Sequence, residues 1–157
     1  MKFKTVLVDD EPLALTRLER MLEQYRDSVE IVGKAESGAA AVEIINRVRP
    51  DVVFLDVQMP ELTGFDVLER LDYIPLVIFS TAYDQYALKA FEVYSVDYLL
   101  KPVDPARLKL AVDKLQRLSA GGVGDLRERV QQALETLKDP RKIRIQVRIG
   151  DRIRLIS

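Results

Sequence analysis

Short apolar runs alternate with helix-like patterns from the start of the chain to about residue 118. The runs that predict strands are Thr5 to Val8, Glu30 to Gly33, Asp51 to Leu55, Leu76 to Phe79 and Asp97 to Leu100. Between them apolar residues recur at helical spacing, as Leu15, Leu18 and Leu22 do. This alternation is typical of βαβ units around a parallel sheet, so we predict an α/β domain with five strands and five helices.

Two of the predicted strands contain apolar segments without alternation. These are Val6 to Val8 and Val52 to Leu55. A strand lacks alternation where helices cover both faces of its sheet, and we therefore place both at the centre of a doubly wound sheet.

Composition excludes several kinds of chemistry. The chain has no cysteine and no histidine, so catalysis would rest on carboxylates, hydroxyls and lysines, which suit a hard cation such as Mg²⁺. The 24 basic and 25 acidic side chains leave a formal net charge of −1, so no global field favours nucleic acid or a membrane. No apolar run approaches the roughly 20 residues that span a bilayer, and the first residues do not resemble a signal peptide. We expect a cytoplasmic protein.

The alternation of strand and helix patterns ends at about residue 118. Residues 119–124 contain three glycines and indicate a hinge, which is followed by a helix with a narrow stripe at Leu126, Val130, Leu134 and Leu137. From Arg141 the chain alternates strictly between apolar and mostly basic residues, which predicts a β-hairpin. We therefore predict a first domain over residues 1–118, a hinge and linker helix over 119–140, and the start of another domain over 141–157.

Three carboxylates follow two of the predicted strands. Asp9 and Asp10 come directly after the first strand, and Asp56 comes directly after the third. In a doubly wound sheet of order 2-1-3-4-5 these strands are neighbours beside the switch point where ligands bind, so the three acids should converge and need a cation such as Mg²⁺. Taken singly, Asp10 is equally well explained as a helix N-cap and Asp56 as a turn residue.

Two more polar residues follow strands at the same edge. Thr81 comes after the predicted fourth strand and Lys101 after the fifth. A hydroxyl and an ammonium facing three carboxylates are groups that hold a phosphoryl oxygen. Alone, Thr81 would be read as a helix cap and Lys101 as a solvated loop lysine.

With these residues identified, the chain resembles a response-regulator receiver domain over residues 3 to about 118. The resemblance is carried by Val8-Asp9-Asp10-Glu11-Pro12, Leu55-Asp56-Val57-Gln58-Met59-Pro60 with Gly64 after it, Ser80-Thr81-Ala82 and Asp97-Tyr98-Leu99-Leu100-Lys101-Pro102. It implies a flavodoxin-like sheet and a phosphoryl group donated by a histidine kinase.

The resemblance also implies a role for each site residue. Asp56 would be the phosphoacceptor, and Asp10 and Asp56 would ligate Mg²⁺ with the Gln58 carbonyl. Asp9 would assist through water. Thr81 and Tyr98 would form the switch pair, and Lys101 would contact the phosphoryl group. We also predict that the Lys101-Pro102 bond is cis.

The segment Phe79 to Ala87, with Ala90-Phe91-Glu92 after it, is similar to the LytR/AlgR subfamily, whose output is a LytTR-type DNA-binding domain. The basic hairpin would be the opening of such a domain, truncated at Ser157. We expect phosphorylation to promote a homodimer through the predicted fourth helix, fifth strand and fifth helix. We expect DNA binding only through a complete output domain, not by this chain.

An aspartyl-nucleophile phosphatase is one alternative function. Such an enzyme also places an aspartate and Mg²⁺ at a strand end, but it carries a second aspartate two residues later as a general acid. Here that position is Gln58, so we expect a phosphoacceptor and not an enzyme.

A protein without phosphate chemistry is the other alternative. The acids could be helix caps in a pure interaction module, and Mg²⁺ binding would distinguish the two. A flavodoxin-like cofactor binder would share the fold, but the sequence has no separate phosphate-cradling glycine loop.

Overall fold

The sheet has the predicted number and order of strands. A computed structural model describes residues 2–82 and 96–118, with only the backbone of Thr81. The strands are β1 Phe3–Val8, β2 Val29–Ala35, β3 Val52–Leu55, β4 Leu76–Thr81 and β5 Asp97–Leu100. All neighbouring pairs are parallel and the order is β2-β1-β3-β4-β5. The predicted doubly wound, flavodoxin-like fold is confirmed.

Four α-helices lie within the described residues. They are α1 Pro12–Leu22, α2 Gly38–Val48, α3 Gly64–Glu69 and α4 Pro105–Leu118, and a short 3-10 helix, Glu23–Tyr25, follows α1. The helix predicted between the fourth and fifth strands falls among residues 83–95, outside the described residues. The predicted hinge, linker helix and hairpin, at residues 119–157, also lie outside them.

Local sequence explains where these helices begin. Pro12 and Pro105 stand at first helical positions, where the missing N–H costs no hydrogen bond. Ser37 caps α2 by accepting a hydrogen bond from the Ala40 N–H. At α3, Thr63 and Asp66 exchange backbone and side-chain hydrogen bonds in a capping box. These caps determine the residues at which the loops end and the helices begin.

The core lies on both sides of the central strands. Every residue of β3 is buried, which requires packing against each face of that strand. Phe54 and Phe79 are among the largest fully buried side chains, and the Phe79 ring lies 5.2 Å from that of Phe65. The rigid core thus fixes the carboxyl ends of β1, β3 and β4.

Strands β1 and β2 begin earlier than the apolar pattern predicted, at Phe3 and Val29, and two strands run further at their carboxyl ends. Strand β2 continues through Ala35 because Lys34 and Ala35 pair with β1, and β4 continues through Thr81 because Ser80 and Thr81 pair with β5. Backbone pairing with a neighbour, which is independent of side-chain polarity, extends both strands. The Lys101-Pro102 bond is cis, as predicted.

Candidate functional site

Strand register brings the three acidic residues together. Val8 and Leu55 are partners in the β1–β3 ladder, so the residues that follow them, Asp9 and Asp56, leave the sheet side by side. The Asp56 N–H donates to the Val8 carbonyl at 3.1 Å, which continues the ladder by one residue. Carboxylate oxygens of Asp9, Asp10 and Asp56 all lie within 4.8 Å of one another. The convergence predicted from the strand ends is therefore present.

Two of these carboxylates are deeply buried. Asp9 is 5% exposed and Asp56 is 3% exposed, whereas Asp10 is half-buried. Asp9 accepts a hydrogen bond from the Glu11 N–H at 2.9 Å, and Asp56 accepts one from the Gln58 N–H at 3.2 Å. One oxygen of Asp56 therefore accepts a hydrogen bond within the turn, as the turn interpretation predicts, while its second oxygen faces the cluster. Asp10 makes no side-chain cap for α1, whose N-cap residue is Glu11.

Lys101 lies among the acids. Its Nζ is 2.6 Å from Asp9 Oδ2 and 3.1 Å from Asp56 Oδ2, and its side chain is only 16% exposed. Glu11 Oε1 lies 3.4 Å from the same nitrogen. The solvated-loop interpretation of Lys101 is therefore wrong. The contact from Glu11 was not predicted, and its position next to Asp10 was the only signal for it.

Burial and charge shift the pKa values of two groups. Desolvation by burial raises the pKa of Asp56 to about 6, with a further increase from the Asp9 charge and an opposing effect from Lys101. For Lys101, burial acts to lower the pKa, but hydrogen bonds and charges from Asp9 and Asp56 outweigh it and raise the pKa above its usual value. Lys101 therefore stays positively charged beside Asp56, and burial disfavours the negative charge of Asp56.

The donor set suits a hard divalent cation. It consists of carboxylate oxygens on three residues, and the negative charges of two of them, Asp9 and Asp56, repel each other. An open cleft with a volume of about 430 Å³ is bordered by Asp10 and Asp56, and by Gln58, Met59 and Pro60. A cation and a phosphate-sized group can both approach Asp56 through this cleft.

The loop after Asp56 is held close to that residue. The Gly64 N–H donates to the Val57 carbonyl at 2.8 Å, and a Cβ at Gly64 would lie 2.6 Å from the Asp56 carbonyl oxygen. Glu61 adopts a left-handed backbone with φ of 69°. The start of α3 is therefore packed directly against the backbone of Asp56.

The two predicted switch residues lie on adjacent strands. Thr81 is the last residue of β4 and pairs with Leu100, but its side chain lies outside the described part of the chain. Tyr98 pairs with Phe79, is half-buried, and has the guanidinium of Arg107 over its ring at 5.4 Å. The placement agrees with a switch pair, and the switching role stays a prediction.

In the described ranges, 2–82 and 96–118, no helix has both the length and the apolar character needed to cross a membrane.

Two solved structures of similar fold are named as a receiver domain and a response regulatory domain. The receiver domain of AraT, a response regulator from Geobacillus stearothermophilus, matches with a TM-score of 0.63 and 32% identity over 85% of this chain and 98% of its own. The response regulatory domain of protein mrkE from Klebsiella pneumoniae matches with a TM-score of 0.63 and 30% identity over 73% of this chain and 95% of its own.

Curated relatives are longer than this chain. An uncharacterized response regulatory protein of Vibrio cholerae is 38% identical over 99% of this chain and 63% of its own length. The transcriptional regulatory protein BtsR of Escherichia coli K12 is 41% identical over 84% of this chain and 56% of its own length. The chain thus spans less than two thirds of the length of these relatives.

A family-wide sequence profile gives the assignment. The profile described as the response regulator receiver domain matches residues 5–113, which contain every site residue discussed above. The matched range also contains all five strands except the first two residues of β1. The chain therefore belongs to the response regulator receiver domain family.

Proposed function

We propose that Asp56 accepts a phosphoryl group from a partner histidine kinase in the presence of Mg²⁺, and that the modified domain controls a transcriptional output. The observation that carries the proposal is the setting of Asp56. Its carboxylate is buried, 3.1 Å from the Lys101 ammonium, and shares a cluster with Asp9 and Asp10. A receiver domain of a two-component system uses such an acidic pocket for Mg²⁺ and phosphate.

Each residue has a distinct part in the transfer. Asp10, Asp56 and the Gln58 carbonyl would hold Mg²⁺, with Asp9 acting through water. When bound, the cation neutralises charge on the phosphoryl oxygens. An Asp56 carboxylate oxygen forms the new bond to phosphorus as the bond from phosphorus to the donor's imidazole nitrogen breaks. This transfer converts Asp56 into an acyl phosphate. Lys101 would contact the oxygens of the transferred group.

The acyl phosphate would then change the surface near β5. Its added charge and acceptor oxygens would draw the Thr81 hydroxyl inward, and Tyr98 would rotate into the space released. Tyr98 is half-buried on the edge strand of the sheet, so its rotation would alter a surface that partners can reach.

The chain itself would act as a phosphoacceptor and not as an enzyme on a separate substrate. Gln58 occupies the position where a phosphatase would need its general acid, and its N–H donates to Asp56. An amide side chain cannot supply that proton. The domain would nevertheless assist its own phosphoryl transfer and dephosphorylation.

The output would be a LytTR-type DNA-binding domain. Relatives named transcriptional regulatory proteins support a transcriptional output. We propose that the receiver occupies residues 1–118, a hinge and linker helix 119–140, and the start of the output domain 141–157, the last two of which lie outside the described residues. In this proposal sequence-specific DNA binding belongs to the complete output domain. The protein would be cytoplasmic.

Intact mass spectrometry tests the phosphoacceptor proposal. The chain is mixed with a small phosphodonor, such as acetyl phosphate, with Mg²⁺ or with a chelator. We expect the mass of one phosphoryl group to be gained with Mg²⁺ and almost none with the chelator, because the clustered carboxylates need the cation's charge. An equal gain in both samples, or none in either, would contradict the proposal.

Phosphorylation should also increase self-association. We propose that the interface includes β5 and α4, where Leu100 and Leu110 are exposed apolar side chains. Sedimentation velocity of the chain with and without the phosphoryl mimic beryllofluoride should show a shift from monomer toward dimer. The same sedimentation profile in both samples would show that phosphorylation does not control assembly.

A further inference from the structure

A buried ion pair joins the start of β5 to the first turn of α4. Asp97 is 4% exposed, and Arg107 Nη1 donates to its Oδ2 at 2.7 Å while Nη2 donates to its Oδ1. This two-point contact uses the planar fork of the guanidinium, which fixes its orientation as well as its distance. Lys114 Nζ lies 3.4 Å from the same carboxylate as a second cation.

The same guanidinium covers the ring of Tyr98. Its central carbon is 5.4 Å from the ring centroid, within the range of a cation–π contact. Asp97 Oδ1 also accepts a hydrogen bond from the Tyr98 N–H at 2.8 Å. One carboxylate therefore fixes both the backbone of Tyr98 and the cation that lies on its ring.

The guanidinium has little freedom to follow the ring if the ring moves. The backbone N–H of Arg107 donates to Asp104 Oδ2 at 3.1 Å at the start of α4, and the Arg107 side chain is only 33% exposed. Hydrogen bonds from Arg107 and from the Tyr98 N–H offset the burial of Asp97 and keep the pKa of that carboxyl below its usual value. The ion pair therefore persists at neutral pH, and a ring that rotates away leaves Arg107 behind.

We propose that Arg107 is a positioning residue that holds the Tyr98 ring in the place it occupies while Asp56 is unmodified. The inference rests on the proposed function, in which the rotated position of Tyr98 belongs to the state that phosphorylation favours. A contact present in one of two states stabilises that state alone, so Arg107 opposes the conversion. Its removal makes the phosphorylation-competent state more populated.

A cation–π contact at a partly exposed site shifts such an equilibrium by about two- to fivefold. The apparent rate of phosphorylation follows the population of the competent state. Arg107→Gln should therefore gain the phosphoryl group from acetyl phosphate and Mg²⁺ about two to five times faster than the native chain. A loss of structural support alone would slow the reaction.

The test is a double-mutant cycle measured by intact mass over time on the full chain. The four proteins are the native chain, Arg107→Gln, Tyr98→Ala and the double variant. If Arg107 acts through the ring, Arg107→Gln accelerates the reaction in the native background and leaves the rate unchanged in the Tyr98→Ala background. Lys114→Gln is the matched control, because Lys114 also neutralises Asp97, and its rate should equal that of the native chain.

The outcomes separate this inference from the proposed function. A native chain that gains no phosphoryl group overturns the proposed function. A native chain that reacts while Arg107→Gln shows no acceleration, or shows the same acceleration in the Tyr98→Ala background, overturns only the role of Arg107. If Arg107→Gln does not fold, Arg107→Lys replaces it, since a lysine keeps a charge beside Asp97 without the planar contact, and it should also react faster.

Discussion

Replacing Asp56 with asparagine should abolish the gain of a phosphoryl group from acetyl phosphate and Mg²⁺. The amide is nearly the same shape and can still accept the hydrogen bond from the Gln58 N–H, so the loop after β3 keeps its anchor. It carries no negative charge and has no oxygen nucleophilic enough to attack phosphorus. Intact mass measured over a full time course should show no phosphorylated species.

Asp51→Asn is the matched control for this substitution. Asp51 immediately precedes β3, whereas Asp56 immediately follows it, so the control changes the same residue type at the opposite end of one strand. Its carboxylate accepts a hydrogen bond from the Lys4 N–H at 2.9 Å, which an asparagine oxygen can also accept. Asp51→Asn should react at the native rate. Undiminished phosphorylation of Asp56→Asn would show that the acceptor is another residue.

The same Asp56→Asn variant should be more stable than the native chain in the presence of a chelator. Burial raises the pKa of Asp56 from 3.8 to about 6, so its charged form destabilises the fold above pH 6. This penalty is absent below pH 3.8, grows between the two values, and reaches about 3 kcal/mol at pH 7. Urea unfolding should show a larger difference between the two proteins at pH 7 than at pH 5, and an equal difference would contradict the assigned burial effect.

The positions of Asp9, Asp10 and Asp56 were predictable from sequence because strand ends are marked locally. Asp9 and Asp56 directly follow apolar runs, Asp10 is the next residue after Asp9, and parallel strands bring their carboxyl ends to one edge. Lys101 was predicted at that edge for the same reason, but its 2.6 Å contact with Asp9 depends on how the loop after β5 turns back. Local sequence predicts neither the path of that loop nor the participation of Glu11.

The Asp97–Arg107 pair was not predicted. Asp97 was predicted to begin a strand and belongs to the motif Asp97 to Pro102, but it was given no partner, and Arg107 was not singled out at all. Nothing in the local pattern distinguishes a carboxylate that is 4% exposed from one in water. Their contact arises because α4 packs back on β5, a tertiary relation that hydrophobic periodicity does not specify. The role of Thr81 and the output segment stay predictions.

Gly64→Ala should reduce both stability and phosphorylation, because Gly64 touches the backbone of the acceptor residue. A Cβ there would lie 2.6 Å from the Asp56 carbonyl oxygen and 3.3 Å from the Val57 Cα. Both are backbone atoms next to a buried strand, and neither can rotate aside as the end of a side chain can. We expect a loss of about 1–3 kcal/mol in the free energy of unfolding, the usual cost of overpacking.

The effect on phosphorylation follows from the direction of the clash. Relief of the contact must move either the start of α3 or the backbone that carries the Asp56 carboxylate relative to Lys101. In-line transfer depends on reacting atoms placed to within a fraction of an ångström, and a misplacement of about 1 Å can cost about 100-fold in rate. A partial displacement should therefore slow the gain of the phosphoryl group by about tenfold, measured by intact mass with acetyl phosphate and Mg²⁺.

Gly33→Ala distinguishes this geometric effect from general destabilisation. A Cβ at Gly33 would clash with the Ile44 Cδ1, but this contact involves the end of a side chain on α2 and no atom of Asp56. The Ile44 side chain can change rotamer, so some loss of stability is expected while the phosphorylation rate stays native. Both variants should be folded under the assay conditions, as judged by urea unfolding. Equal slowing of the two variants would mean that the rate reflects stability alone, and slowing confined to Gly64→Ala would show that close packing of α3 against Asp56 sets the geometry of transfer.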